Sequence, residues 1–96
     1  MSSSTTPLSD SVTKELLLQL DGWSIVESHH LYKTYSFSNF LQPLELLNKV
    51  ALLAEEEGHH PDLELGWGYL NIKIFTHNIN NLTERDFILA AKIDKL

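Results

Sequence analysis

The sequence predicts an α+β fold: a four-stranded antiparallel sheet with three helices on one face. Helical and strand-like segments follow the order α-β-β-α-β-β-α, and the two strand-like pairs read as hairpins separated by helices. A chain of 96 residues, 43% of them hydrophobic, has room for one core. We therefore expect a single domain over residues 9–96, preceded by a disordered tail over residues 1–8.

The first helix is predicted in the segment LSDSVTKELLLQLDGW. Ser9 can cap its start, Asp10 suits its first turn, and Gly22 ends it. Its buried stripe is expected to comprise Val12, Leu16 and Leu20.

A hairpin is predicted next, from the strand-like segments WSIVES and LYKTYSF. In the second segment one face carries Leu31, Lys33, Tyr35 and Phe37, and the other carries Tyr32, Thr34 and Ser36. His29 and His30 fall between the two strands. We interpret them as exposed turn residues.

The segment SNFLQPLELLNKVALLAEEEG predicts the second and strongest helix. Ser38 or Asn39 caps it, Pro43 falls in its first turn, and Gly58 suits a left-handed C-terminal position. Its predicted buried stripe comprises Phe40, Leu44, Leu47, Ala51 and Ala54, widened by Val50 and Leu53.

The segment ELGWGYLNIKIFTH predicts a strand pair, or one long strand bent near Gly66 and Gly68. One face carries Leu70, Ile72, Ile74 and Thr76, and the other carries Tyr69, Asn71, Lys73, Phe75 and His77. The last helix follows in LTERDFILAAKIDKL, where Thr83 and Asp86 resemble a capping box. Its predicted buried stripe comprises Leu82, Leu89, Ile93 and Leu96.

Composition excludes several classes of function. The chain has no cysteine, so disulfides, thiolate nucleophiles and zinc–thiolate sites are ruled out. Its net charge is -6, and its seven Lys and Arg residues are scattered singly, which argues against binding to nucleic acid or to an anionic membrane. No secretory signal, transit peptide or spanning segment is evident, and we expect a cytoplasmic protein. A nucleophile turn and a Gly-rich phosphate loop are also missing.

The chemically informative segment is EEEGHHPDLELGWGYLNIKIFTH. His59 and His60 follow a predicted helix end, and His77 ends a strand that can return to the same edge of the sheet. Histidine exchanges protons near neutral pH, so three imidazoles meeting there suit an elimination or a hydration. The residues alone leave an active site and a structural cluster as equal alternatives. A zinc centre is less favoured, because adjacent histidines usually diverge.

The three glutamates at the end of the second helix are a second indication, because acids there oppose the helix dipole. Glu55, one turn before His59, is a candidate to orient an imidazole or to bind a ligand. For Glu56 and Glu57 we favour a solvated helix end.

The same segment, followed by LTERDFILAAKID, closely resembles the pterin-4a-carbinolamine dehydratases. The shared pattern is a His-His-Pro after a helix, a Thr-His at a strand end and the LTERDF helix, and it covers most of the chain. The resemblance implies a dehydratase that removes water from 4a-hydroxytetrahydropterin to give quinonoid dihydropterin. It also implies the four-stranded fold with three helices on one face, and an assembly of two or four subunits.

The resemblance further implies site residues. The catalytic histidines match His59, His60 and His77, and Glu55 with the backbone around Phe75 and Thr76 would bind the polar pterin edge. Asp86 is a candidate to support a histidine or, equally, to cap its helix. Where animal members have an aromatic residue this chain has Leu63, and Trp67 is expected to cover the site instead. The family's glycine before Leu-Thr is Asn81, which can adopt a left-handed conformation.

The implied reaction needs no metal and no cofactor, because the pterin is itself the substrate. The expected partners are this pterin and other copies of the chain, with an aromatic amino acid hydroxylase supplying the substrate. Some animal members also act as dimerisation partners of a homeodomain transcription factor. Two alternatives therefore stay open: a non-catalytic dimerisation or coactivator module on the same fold, and a zinc-dependent hydratase.

Overall fold

The structure, a computed structural model, describes residues 6–96. Its elements are α1 (Asp10–Leu17), β1 (Ser24–Val26), β2 (His30–Ser36), α2 (Leu41–Glu57), β3 (Asp62–Gly66), β4 (Tyr69–Ile74) and α3 (Glu84–Ile93). The predicted α+β class and the order of elements are confirmed. Of the predicted tail, residues 1–5 lie outside the described residues. Leu8 packs against the core, and its N–H donates to the carbonyl of Leu82 at 3.2 Å.

The four strands form one antiparallel sheet in the order β1-β2-β4-β3. The central pair is β2 and β4, in which Leu31 lies opposite Ile74 and Tyr35 opposite Leu70. The segment from Glu64 to His77 thus forms parts of two strands joined by a tight turn, in which Gly68 has a φ of 81°. Only a residue without Cβ adopts that backbone conformation at no steric cost.

The core lies between the helices and one face of this sheet. Side chains from the two central strands supply its floor, and those of α2 and α3 cover them. The buried apolar residues are Trp23, Leu31, Val50, Ala54, Leu70, Ile72, Ile74, Leu82, Phe87, Leu89, Ala90 and Ile93. The predicted buried face of β4 is confirmed through Thr76, which continues the alternation beyond the strand.

The helix boundaries follow their capping residues. The Ser9 hydroxyl accepts from the Val12 N–H at 3.4 Å, and α1 ends earlier than predicted, at Leu17. The Asn39 side chain accepts from the Gln42 N–H at 2.9 Å, so Asn39 serves the first turn of α2 although Phe40 holds the formal N-cap position. These contacts confirm the predicted starts of both helices.

Several residues of the predicted helix stripes lie outside the core. Val12, Phe40 and Leu96 are exposed, and so is Ala51. The buried residues of α2 are Pro43, which the prediction omitted, and Val50 and Ala54, which it included. They are the i, i+7 and i+11 positions counted from Pro43, and this line faces the sheet.

The interpretation of the first histidine pair as exposed turn residues is wrong. His30 is buried at the start of β2, and His29 is half-buried. The turn before His30 contains Glu27 and Ser28, whose φ angles of 55° and 54° are left-handed. His29 is the last residue of this turn, where its N–H donates to the Val26 carbonyl at 2.9 Å, and His30 begins the returning strand. The turn position predicted for His29 is therefore right, and the exposure predicted for the pair is wrong.

Candidate active site

The segment that carries His59 and His60 is held in place by the end of α2. Gly58 has a φ of 64°, confirming the predicted left-handed residue, and the His59 N–H donates to the Ala54 carbonyl at 3.2 Å. This pattern closes a helix C-terminus. From α3, the Arg85 guanidinium donates to the Gly58 carbonyl at 2.8 Å, which joins the histidine segment to a second helix.

His59 forms a buried pair with Asp86, the third residue of α3. The imidazole Nε2 lies 2.5 Å from the Asp86 Oδ1, His59 is 7% exposed, and Asp86 is fully buried. A carboxylate accepts hydrogen bonds, so Nε2 carries the hydrogen in this pair, and Nδ1 has a lone pair whenever the ring is neutral. Nδ1 has no hydrogen-bond partner among residues 6–96. Because every fully buried side-chain polar atom in these residues does have a partner, Nδ1 is not fully buried and reaches solvent.

The second oxygen of Asp86 is also fully engaged. It accepts from the Thr83 N–H at 2.8 Å, completing the predicted capping box, and from the Thr76 hydroxyl at 3.0 Å. The Thr76 and Thr83 hydroxyls lie 2.8 Å apart. A buried carboxylate needs such partners, and three donors fix its orientation. Asp86 therefore both caps α3 and orients His59, so the two predicted roles are combined in one residue.

His60 points the other way and lies at the surface. Its Nε2 is 2.5 Å from the Glu55 Oε2, and the two side chains are 59% and 75% exposed. Glu55 thus contacts an imidazole, but it is that of His60, five residues later, and not that of His59, one turn later. Glu57 does not lie free in solvent as expected, because it pairs with Lys92 of α3 at 2.7 Å, whereas Glu56 is exposed.

His77 lies just beyond β4, in a tight turn over residues 76–81. The Thr76 N–H donates to the Asn81 carbonyl at 2.9 Å, and Asn80, not Asn81, takes the left-handed conformation, with a φ of 53°. The His77 ring packs on Phe75, with 4.2 Å between centroids, and its Nε2 lies 3.7 Å from the Asp62 Oδ2. Asp62 follows the His-His-Pro segment directly.

The three predicted catalytic histidines therefore lie at one end of strands β3 and β4. Thr76, next to His77, contacts Asp86, which contacts His59, while Asp62 connects His77 to the segment that carries His60. Glu55 and Phe75 lie at the same end.

Three other predicted site residues, Thr76, Asp86 and Trp67, have no side chain available to a ligand at the histidine end of the sheet. Thr76 is 1% exposed with its hydroxyl bonded to Asp86, and its backbone N–H and carbonyl are used within the turn. Asp86 is buried and saturated, so it supports His59 rather than touching a ligand. Trp67 lies in the β3–β4 turn, at the opposite end of those strands, and is 69% exposed. Within one chain it does not cover the histidines.

Sequence reasoning missed several residues of the site. Asp62 and Arg85 were not singled out, although Asp62 lies directly after the His-His-Pro segment and begins the strand that flanks β4. Arg85 could not be found from the sequence, because its contact with the Gly58 carbonyl depends on how α3 packs against the end of α2, and no sequence pattern indicates which carbonyl a guanidinium reaches. His29 was dismissed, yet its ring packs on the site's Phe75, at 4.5 Å.

Two of the three histidines, His60 and His77, are more than half exposed at their end of the sheet. Cavities of about 410 and 470 Å³ lie elsewhere, between α1 and α3 and between α1 and β1, and neither is lined by the three histidines. Among residues 6–96, no group of three His, Asp or Glu side chains is arranged to hold a metal ion. No helix in this part of the chain is long and apolar enough to cross a membrane.

Comparison with known proteins identifies a consistent set of relatives. Residues 6–96 match the model of the family described as pterin 4 alpha carbinolamine dehydratase. A relative from Rubrobacter xylanophilus, provisionally named pterin-4-alpha-carbinolamine dehydratase, is 48% identical over 90 residues, covering 94% of this chain and 84% of the relative. A relative from Rickettsia bellii with the same provisional name is 54% identical over 91 residues, covering 94% and 80%.

Two solved structures are similar in fold. A transcriptional coactivator/pterin dehydratase from Brucella melitensis superposes with a TM-score of 0.87 at 28% identity, covering 94% of this chain and 97% of the other. A pterin dehydratase-like protein described as a RuBisCO assembly factor in the alpha-carboxysome gives a TM-score of 0.65 at 26% identity, covering 80% and 90%.

Proposed function

Because the chain belongs to the pterin 4 alpha carbinolamine dehydratase family, we propose that it dehydrates 4a-hydroxytetrahydropterin to quinonoid dihydropterin by histidine acid–base catalysis. The observation that carries the proposal is the buried His59–Asp86 pair at the end of the sheet that also bears His60 and His77. This geometry adds to the family membership, because a member of the family that had lost catalysis would not need an imidazole held by a carboxylate with its other nitrogen open to solvent.

The reaction transfers two protons. An acid protonates the 4a hydroxyl as the C4a–O bond breaks and water leaves. A base removes the proton on N5 as the C4a=N5 bond forms, and exchange with solvent restores both groups. Each well-placed acid or base contributes roughly 10²–10⁴-fold to the rate.

His59 suits the base, because its Nε2–H is held by Asp86 and its Nδ1 has a lone pair that reaches solvent. As Nδ1 takes the N5 proton, the ring becomes an imidazolium beside a carboxylate, and this pairing stabilises the charge that develops.

His77 suits the acid. It is half exposed, and the Asp62 carboxylate 3.7 Å from its Nε2 would balance the charge of its protonated form. His60 is proposed to position the pterin and to share the acid role, with Glu55 fixing its ring and accepting N–H groups from the pterin edge.

The proposed substrate is uncharged at its reacting ring, so the scarcity of cations at the site is compatible with it. Both proton transfers use side chains of this chain, and the proposed mechanism needs no metal or cofactor. We further propose that the working form is a homodimer or homotetramer and that an aromatic amino acid hydroxylase supplies the carbinolamine.

The test is to generate the 4a-carbinolamine in situ and to follow its decay with and without the protein. We expect the wild type to accelerate the decay, and His59→Ala or His77→Ala to lower the rate at least about tenfold, because each removes a proposed acid or base. Circular dichroism and thermal unfolding establish that each variant is folded. Unchanged turnover in a folded double variant would refute the assignment.

Asp86→Asn is the companion variant in the same assay. An amide of the same shape keeps an oxygen for the Thr83 N–H but loses the charge beside His59. We expect kcat to fall with little change in KM, because the carboxylate is buried and does not reach the substrate. A change confined to KM would instead indicate that Asp86 acts in binding.

A second candidate is a non-catalytic protein-binding role. It is favoured by the described roles of the two structural relatives, a transcriptional coactivator and a RuBisCO assembly factor. The same assay separates the two, since a pure binding module leaves the spontaneous decay of the carbinolamine unaffected.

A further inference from the structure

Phe75 contacts two imidazoles. Its ring packs on His77, with 4.2 Å between centroids and 43° between planes. It also packs on His29, with 4.5 Å between centroids and 44° between planes. Aromatic rings at such separations stabilise each other beyond the effect of the area that they bury. The three rings form a continuous stack that ends on a proposed catalytic histidine.

His29 is the anchored end of this stack. Its Nε2 lies 2.8 Å from the Asn80 Oδ1, and its Nδ1 lies 3.0 Å from the His30 Nδ1. Since the amide oxygen can only accept, His29 carries its hydrogen on Nε2 and accepts from His30 through Nδ1. This arrangement requires only that Nδ1 of His29 carries no hydrogen, and a neutral His30 that donates through its own Nδ1 satisfies it. Burial, with the positive charge of Lys73 and the neighbouring His29, lowers the pKa of His30 and favours that state.

His77 is the loosely held end. Its side chain is 54% exposed, and its closest polar partner, Asp62, is 3.7 Å away, beyond hydrogen-bond length. The packed face of Phe75 is therefore its principal constraint. Asn80 adds a second connection, because it belongs to the turn that carries His77 and bonds to His29.

We propose that His29 is a positioning residue for the dehydration, holding His77 at the reaction centre through Phe75. This inference rests on the proposed function of His77. His29 makes no contact with the substrate in this role. His29 contributes by packing against the Phe75 ring. Without this contact the Phe75 side chain would be free to rotate away from His77, and His77 would lose its packing partner. Pre-setting the orientation of an acid–base group lowers the barrier, because less freedom is lost at the transition state.

The test compares three substitutions that separate the ring of His29 from its hydrogen bonds. His29→Ala removes both, His29→Gln can still donate to Asn80 but has no ring, and His29→Phe keeps a ring on Phe75 without nitrogens. Thr34→Val is the matched control, on the same open face of the sheet but bonded to Asn71 away from the site.

Two readouts are taken from each variant. The first is the NMR shift of the His77 Cε1–H, which reports the ring current of Phe75. The second is kcat and KM for the carbinolamine. In His29→Ala and His29→Gln we expect the His77 signal to move toward that of a solvent-exposed imidazole. We expect kcat to fall about three- to tenfold with KM nearly unchanged, a smaller loss than removal of an acid–base group. His29→Phe should restore both values, and Thr34→Val should alter neither.

An unmoved His77 signal in folded His29→Ala and His29→Gln would overturn the proposal, and so would failure of His29→Phe to restore it. The NMR readout needs no turnover. A wild type that does not accelerate decay of the carbinolamine would therefore refute the proposed function, while the packing of His29 on Phe75 and His77 would still be tested separately.

Discussion

At the scale of single residues, His30 is a group whose protonation is coupled to folding. It is buried at the start of β2, so its ring loses contact with water when the chain folds, and in the folded chain the ring lies near Lys73 and His29. These three effects lower its pKa below the ordinary value of 6.5, and Glu27 only partly opposes them. The unfolded chain therefore takes up a proton on His30 at a higher pH than the folded chain does.

This difference predicts a loss of stability in mild acid. The contribution of His30 is fully present above pH 6.5 and is lost as the pH falls through the lowered folded pKa, because protons bind the unfolded state first. We expect the free energy of unfolding of the wild type to decline more steeply between neutral and acidic pH than that of His30→Gln. Denaturant unfolding at a series of pH values measures it, and parallel curves for the two proteins would contradict it.

The two histidine pairs show what the sequence could and could not predict at this scale. His59, His60 and His77 were found because a helix end and a strand end place them at one edge, and the fold follows from local patterns. The partners of these residues were only partly predicted. Glu55 was singled out because it lies one turn before His59, but the imidazole that it contacts is that of His60. The role of Asp86 stayed ambiguous, and the burial of His29 and His30 depended on two left-handed residues that no glycine marks.

At the scale of elements, the end of α3 is connected to the sheet by Asp94. Its carboxylate accepts from the Trp23 indole N–H at 2.8 Å, from the Asp21 N–H at 2.9 Å and from the Lys33 ammonium at 3.1 Å. Burial lowers the pKa of Lys33, but Tyr35 and Asp94 together outweigh it and raise that pKa, so Lys33 stays charged. One side chain thus joins α3, the loop before β1, and β2.

We expect Asp94→Ala to destabilise the fold by about 1–3 kcal/mol, because it leaves the Trp23 and Lys33 donors without their acceptor. Lys92→Ala is the matched control on the same helix. It removes an ion pair with Glu57 that is largely exposed, and such pairs contribute under about 1 kcal/mol. Urea denaturation measures both. A loss for Asp94→Ala no larger than that for Lys92→Ala would show that these bonds do not stabilise the fold.

The elements themselves were predictable because their signals are local. Caps such as Ser9, Thr83 and Gly58 fix the helix ends, and the alternation in β4 fixes its buried face. Helix rotation was less predictable. In α2 apolar residues occur on more than one side, so the pattern does not distinguish the stripe through Val50 from the side that carries Leu52, and only packing against the sheet selects between them.

At the scale of the whole molecule, two large apolar side chains of α2 that point away from the core are left to solvent in the single chain. Leu41 and Leu52 are 66% and 72% exposed. They are eleven residues apart, close to three helical turns of 3.6 residues each, so they lie on one face. Exposed apolar surface of this kind commonly marks a protein interface. The homodimer or homotetramer proposed above as the working form gives the same expectation.

We therefore predict that the protein self-associates through this face and that Leu52→Glu weakens the assembly by placing a charge in it. Sedimentation velocity over a range of concentrations should give the wild type a mass that is a multiple of 11.0 kDa, and should shift Leu52→Glu toward the single chain. Gln19→Glu adds the same charge at an exposed position outside α2 and should leave the mass unchanged. A wild type that is monomeric throughout would contradict the prediction.

The same variant tests whether one chain holds the whole site. The three pairs of the site, His59 with Asp86, His60 with Glu55 and His77 with Asp62, form within one chain. The dissociated Leu52→Glu variant should therefore keep the proposed dehydratase activity. Loss of that activity would mean that a neighbouring copy completes the site.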